Sequence, residues 1–250
     1  RATAAVEKDV PVELRAVGRI VSSQSVAIRP QVSGTLVAVR FAEGQAVEKG
    51  DLLVEIDRRP FEAALAEARA RLAQDEVRAE NARQDAARYA GLVDREFVTR
   101  QQHDAAKANA AAAEAQVAAD RAAVERARLN LDYATIRAPI SGRTGKLLVH
   151  AGNLVSAGSP EPLLTLEQVR PVFAEFALPE RHLAALRARR DAPPTVRLTA
   201  SGGAKEIAGE LAFVNNAVDP ATGTILLKAR VANEDEALWP VLREELVGRP

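Results

Sequence analysis

The side chains most able to do chemistry are few and scattered in this chain. Its three histidines, His103, His150 and His182, stand far apart, and none has a carboxylate or second histidine at ligand spacing, so no metal site is expected. The absence of cysteine removes disulfides, thiol catalysis and zinc ribbons, and the absence of methionine removes thioether copper sites. No phosphate-cradling glycine loop joins a strand to a helix, and no Gly-x-Ser-x-Gly elbow presents a nucleophile. No catalytic residue and no cofactor is therefore expected. The 34 basic and 34 acidic residues balance without a Lys/Arg run, which argues against a nucleic-acid partner. With 250 residues, 47% hydrophobic, 27% charged and only 4% aromatic, the chain has enough apolar residues for real cores and the bias of an elongated, helix-rich protein.

The informative residues are those that shape the backbone. Ser33-Gly34 leads to Gly44-x-x-Val47-x-x-Gly50, and the same pattern recurs at one constant offset as Ser141-Gly142 leading to Gly152-x-x-Val155-x-x-Gly158. Leu36, Val39, Val47, Leu52, Val54 and Ile56 alternate with the period of half-buried strands, and the six glycines, Gly34, Gly44, Gly50, Gly142, Gly152 and Gly158, are read as the turns between them. Two such halves packed face to face would make a flattened β sandwich that resembles the lipoyl or biotinyl carrier fold. A carrier presents a modifiable lysine where its halves join. Here Glu55-Ile56-Asp57-Arg58-Arg59-Pro60 runs into helix with no lysine, which counts against a carrier component of a multienzyme complex.

Between Phe61 and Thr135 there is no proline and a single glycine, Gly91, so one or two long helices are expected. Leu65, Ala68, Leu72, Ala79, Ala82, Ala86, Tyr89 and Val93 recur as a heptad seam, and His103, Ala106, Ala110, Ala113, Val117, Val124, Ala127 and Leu131 as a second. Asp75 and Asp120 interrupt the two seams; they are expected to be solvated at a thin interface and to do no chemistry. Thr99-x-x-Gln102 has the form of a capping box, so the chain reverses just before it. At ~1.5 Å per residue, a helix from about Pro60 to Val93 is an arm about 50 Å long.

Beyond the second half-motif, Val172–Leu178, Thr195–Thr199, Ile207–Val214 and Thr224–Val231 read as strands, and Pro179-Glu180 opens a short helix through Leu186. They suggest a small β barrel, completed by N-terminal strands at Val10–Leu14, Gly18–Val21 and Ser25–Ile28. The expected organisation is mixed α and β and elongated. Residues 1–28 supply N-terminal barrel or membrane-proximal strands, 29–57 the first sandwich half, 58–135 a coiled-coil hairpin, 136–167 the second half, 168–240 the barrel, and 241–250 a truncated or divergent tail.

Three motifs in this order resemble the periplasmic adaptors, or membrane fusion proteins of the HlyD-like kind, of RND-type tripartite efflux pumps. They are Arg29-Pro30-Gln31-Val32-Ser33-Gly34 with Phe41-x-Glu43-Gly44-Gln45-x-Val47-x-x-Gly50-Asp51-Leu52-Leu53; Ala138-Pro139-Ile140-Ser141-Gly142-Arg143-x-Gly145; and Val218-Asp219-Pro220-x-Thr222-Gly223-Thr224-Ile225. The resemblance implies a non-enzymatic periplasmic protein linking an inner-membrane RND transporter to an outer-membrane channel of the TolC type, self-associated as a hexameric ring. It also implies that Arg88, Leu92 and Thr99 contact that channel, because they keep the family's tip spacing with Thr in place of Ser. An adaptor of an ABC-type exporter shares the tip signature, and the barrel motif favours the RND class. Arg1-Ala2-Thr3 shows neither an initiator Met nor a signal peptide, so any membrane anchor is expected to have been lost before residue 1 or never to have existed; the resemblance implies attachment to the inner membrane through an N-terminal anchor not present in this chain.

Overall fold

A computed structural model describes residues 14–93, 95–183, 186, 195–200, 206–240 and 243–248. The strands are β1 (Leu14–Ser22), β2 (Ser25–Ile28), β3 (Gly34–Val39), β4 (Ala46–Val47), β5 (Leu52–Ile56), β6 (Thr135–Arg137), β7 (Gly142–Thr144), β8 (Leu154–Val155), β9 (Leu164–Glu167), β10 (Val172–Pro179), β11 (Thr195–Ala200), β12 (Glu206–Asp219), β13 (Thr224–Val231) and β14 (Arg243–Gly248). Helices α1 (Arg59–Val93) and α2 (Arg100–Tyr133) lie between β5 and β6.

The repeated glycine motif is the internal symmetry of a β sandwich. One sheet runs β2-β9-β7-β4 and the other β6-β5-β3-β8. Gly34 pairs with Val155 across β3 and β8, and Gly142 pairs with Val47 across β7 and β4, which is the same contact made once by each half. Each half thus lends a short strand to the other, and Leu36, Leu53, Val54, Ile56, Leu164 and Leu166 close one shared core. Gly44, Gly50, Gly152 and Gly158 sit in turns at positive φ. Gly34 and Gly142 are not turn glycines: they begin strands β3 and β7, and a Cβ on Gly142 would lie 2.5 Å from the Glu167 carbonyl oxygen, so close strand packing excludes a side chain there.

The barrel closes in the order β1-β10-β13-β12-β11-β14. Alternation puts Val172, Ala174, Phe176 and Leu178 of β10 and Ile225, Leu227, Ala229 and Val231 of β13 inside, with Ile20 and Leu198. Glu175 faces outward yet is buried, because Arg19 and Lys228, its register partners on β1 and β13, cover it at 2.6 and 3.3 Å. In the turn between β12 and β13 the Asp219 carboxylate accepts from the Ala221 amide and Gly223 takes φ +62°.

Two strand expectations are corrected. Ser25–Ile28 belongs to the sandwich, paired with β9, because its Ile28 joins that core. Residues 243–248, expected as a tail, form β14 and close the barrel between β1 and β11. The expected strand from Val10 lies outside the described residues except for Leu14. The short helix at Pro179 begins as a 3-10 turn, Glu180–His182.

The helices form an antiparallel hairpin whose register is marked by cross-helix ion pairs, Arg83–Glu114 and Glu76–Arg121, each at 3.0 Å. That register brings Asp75 and Asp120 to one level of the seam. They are not solvated as expected but 6% and 4% exposed, because both heptads turn that position inward whatever residue fills it. Arg78 reaches Asp75 at 2.9 Å, Arg71 reaches Asp120 at 3.4 Å, and the second Asp120 carboxylate oxygen is buried without a hydrogen-bond partner.

Candidate functional site at the hairpin tip

The tip is built by two capping motifs back to back. At the end of α1, the Phe97 amide donates to the Leu92 carbonyl at 3.1 Å and the Glu96 amide to the Val93 carbonyl at 3.1 Å, the bond pair of a Schellman motif. The left-handed residue such a motif requires is Glu96, at φ +61°, where glycine is usual. At the start of α2 the capping box forms. The Thr99 hydroxyl accepts from the Gln102 amide at 3.3 Å, and the Gln102 side-chain oxygen accepts from the Thr99 amide at 3.0 Å.

These caps fix the side chains that the tip spacing singled out. Arg88 and Leu92 share one face of α1, one turn apart. Arg88 is 68% exposed and pairs with Asp85 at 3.3 Å, an exposed i,i+3 contact that leaves the guanidinium accessible. Leu92 is half-buried, and Thr99 is exposed although its hydroxyl is already engaged as a cap. Beside them stands Phe97, 75% exposed, which motif reading passes over. In a Schellman motif the residue at this place usually folds back on the residue at the place of Leu92. A phenylalanine left open at the loop end instead adds apolar surface to the tip, and its only trace in sequence is an aromatic residue among charges in a connection. The resulting surface combines a cation, two apolar side chains and a hydroxyl, a set suited to binding a protein surface.

Residues 24–167 match the family model of the RND MFP barrel-sandwich hybrid domain, and residues 171–242 that of the RND MFP beta-barrel domain. The chain belongs to the RND membrane fusion proteins. This membrane fusion protein is 42% identical over 243 residues to the multidrug resistance protein MdtA of Cronobacter turicensis, covering 96% of this chain and 59% of the relative. It is 42% identical over 237 residues to MdtA of Proteus mirabilis, covering 94% and 58%. The chain thus spans less than two thirds of the length of these curated relatives. Among solved structures it is similar to a MacA-MexA chimera carrying the Pseudomonas aeruginosa MexA α-hairpin domain, with TM-score 0.69 and 26% identity over 96% of this chain and 79% of the other. It shares the fold of Spr0693 from Streptococcus pneumoniae R6 at TM-score 0.72 and 15% identity, covering 93% and 97%. Among the described residues, no helix is long and apolar enough to cross a membrane.

Proposed function

We propose that this membrane fusion protein is the periplasmic adaptor of an RND multidrug efflux pump, joining an inner-membrane transporter to an outer-membrane channel of the TolC type without catalysing a reaction. An anchor preceding residue 1 would hold it to the inner membrane. The observation that carries the reading is an exposed cationic and apolar tip at the end of a two-helix arm about 50 Å long. An arm of that shape buries little of its own surface, so its use lies at its end. The split, lipoyl-like sandwich at the base would stack against its neighbours in a hexameric ring, and six weak tip contacts would gain strength through avidity.

Arg88, Leu92 and Thr99 are assigned to the channel contact. In the complete protein, Leu92→Asp or Arg88→Glu is expected to abolish efflux in a complementation assay while leaving expression and thermal stability nearly unchanged. Full efflux by a folded Leu92→Asp variant would overturn the tip assignment.

A further inference from the structure

Among the described residues the chain passes between sandwich and barrel twice, at residues 23–24 and 168–171. The two crossings are bonded to each other. The Gln168 amide donates to the Gln24 carbonyl at 2.8 Å, the Ser23 amide to the Gln168 carbonyl at 3.3 Å, and the Glu167 carboxylate accepts from the Ser22 and Ser25 hydroxyls. This makes a two-stranded ribbon. The sandwich and barrel cores share no described residue, and a crevice of about 310 Å³ opens between Glu48 and Asp51 on one side and Arg170 and Glu236 on the other. A ribbon of two strands with no core across it can bend.

A further set of contacts, centred on Arg143, lies off this ribbon. Arg143, on sandwich strand β7, donates through Nη1 to the Gly44 carbonyl at 2.9 Å and pairs through Nη2 with Glu236. Its guanidinium lies 5.1 Å from the centre of the Trp239 ring. Glu236 also meets Arg170 of the ribbon at 3.3 Å. The loop carrying Glu236 and Trp239 is itself braced. Buried Asn233 donates to the Val169 and Leu238 carbonyls and accepts from the Leu238 amide, and both Asn233 and Glu236 are held at left-handed φ, +54° and +50°. Two non-glycine residues kept in that region indicate a loop whose shape is imposed by its surroundings.

We propose that Arg143 is a positioning residue. By holding Glu236 and Trp239 from across the crevice, it turns a two-strand hinge into a rigid mount and sets the angle of the barrel on the sandwich. A fork of donors suits this task, because one guanidinium can bind a carbonyl of its own domain and a carboxylate of the other while stacking on an indole. Under the adaptor reading, on which this last step rests, that angle sets where the hairpin tip points.

The chain offers clean probes: Trp239 is its single tryptophan and it has no cysteine. Spin labels at Phe213→Cys in the barrel and Leu148→Cys in the sandwich, sites 46% and 50% exposed, would report the inter-domain distance distribution. Arg143→Ala and Glu236→Gln are each expected to broaden that distribution, and the double variant to broaden it by less than the sum of the two, since the pair they share is lost once while Arg143 also meets Trp239 and Glu236 also meets Arg170. Quenching of Trp239 by neutral acrylamide should rise by at most about twofold in Arg143→Ala, the residue already being 49% exposed. Unchanged widths in both single variants, or additive broadening in the double, would overturn the proposal. If Arg143→Ala does not fold, Glu236→Gln, which removes only a charge, decides by the same width measurement. The adaptor reading is separable, because Leu92→Asp tests it in cells whether or not the distance distribution moves.

Discussion

The seam layer of Asp75 and Asp120 is where the hairpin gives up stability, and replacing it should return some. The double variant Asp75→Ala/Asp120→Val recreates the kind of small-and-branched layer that Ala79 and Val117 make one step away, so its volume suits the helix spacing. Burying the valine contributes about 1.5 kcal/mol. Removing a buried carboxylate oxygen that lacks a partner recovers about 1–3 kcal/mol. Against this stand two lost ion pairs whose arginines, Arg71 and Arg78, are 68% and 65% exposed, worth about 0–1 kcal/mol each. The net expectation is a gain of about 0.5–4.5 kcal/mol, in line with the replacement of buried charges by packed apolar residues elsewhere. For a unit of this size each kcal/mol raises the melting temperature by roughly 4–8 °C. Amide hydrogen exchange followed along α1 and α2 is the direct assay, since it reads the hairpin separately from the two β cores. Slower exchange around residues 70–80 and 115–125 is the expected result. Faster exchange in a folded variant would refute the reasoning and show that the charged layer contributes net stability.

Four other outcomes follow from the same structure. Thr99→Ala should lower hairpin stability by about 1 kcal/mol through loss of the capping box, whereas Thr99→Ser should be near neutral; urea titration separates them. Glu96→Gly should stabilise the tip by up to about 1 kcal/mol, because glycine takes positive φ without strain, and a loss of stability on urea titration would count against the Schellman assignment. Burial pushes the Glu175 carboxyl up, but the Arg19 guanidinium and the Lys228 ammonium outweigh it and hold the group below its ordinary 4.5. Its contribution is then full above the ordinary value and lost as pH falls through the lower folded value, so Glu175→Gln should flatten the acid limb of a melting-temperature profile below the ordinary 4.5. Replacing residues 61–133 by a short Gly/Ser turn should leave a soluble β protein with a cooperative melt, since the sandwich core is closed by strands outside the hairpin and a shorter loop costs no more to close; aggregation or a broad melt would count against a core shared by the two halves.

Periodic and local features were legible in the sequence. The heptads, the breaker-free stretch, the capping box at Thr99 and the repeated glycine motif each depend on residues a few positions apart, where backbone sterics and side-chain spacing act directly. The placement of Arg88, Leu92 and Thr99 around a single reversal was equally legible, because the capping box that marks it is local. Features made by distant segments were not. Alternation announces Ser25–Ile28 as a strand but does not name its partner, and only the position of β9 assigns it to the sandwich. Residues 243–248 look like an ending until β1 and β11 present two open edges with matching register. Gly34 and Gly142 share a motif with true turn glycines, yet what excludes their side chains is a strand from elsewhere in the chain. Asp75 and Asp120 read as polar and therefore exposed, but helix packing buries a seam position before it considers the residue there. Arg143 lies in the second motif, and Glu236 and Trp239 in a later stretch outside all three, with nothing in either to connect them. Their meeting depends on how two cores are set against each other, a long-range property that tertiary packing alone decides.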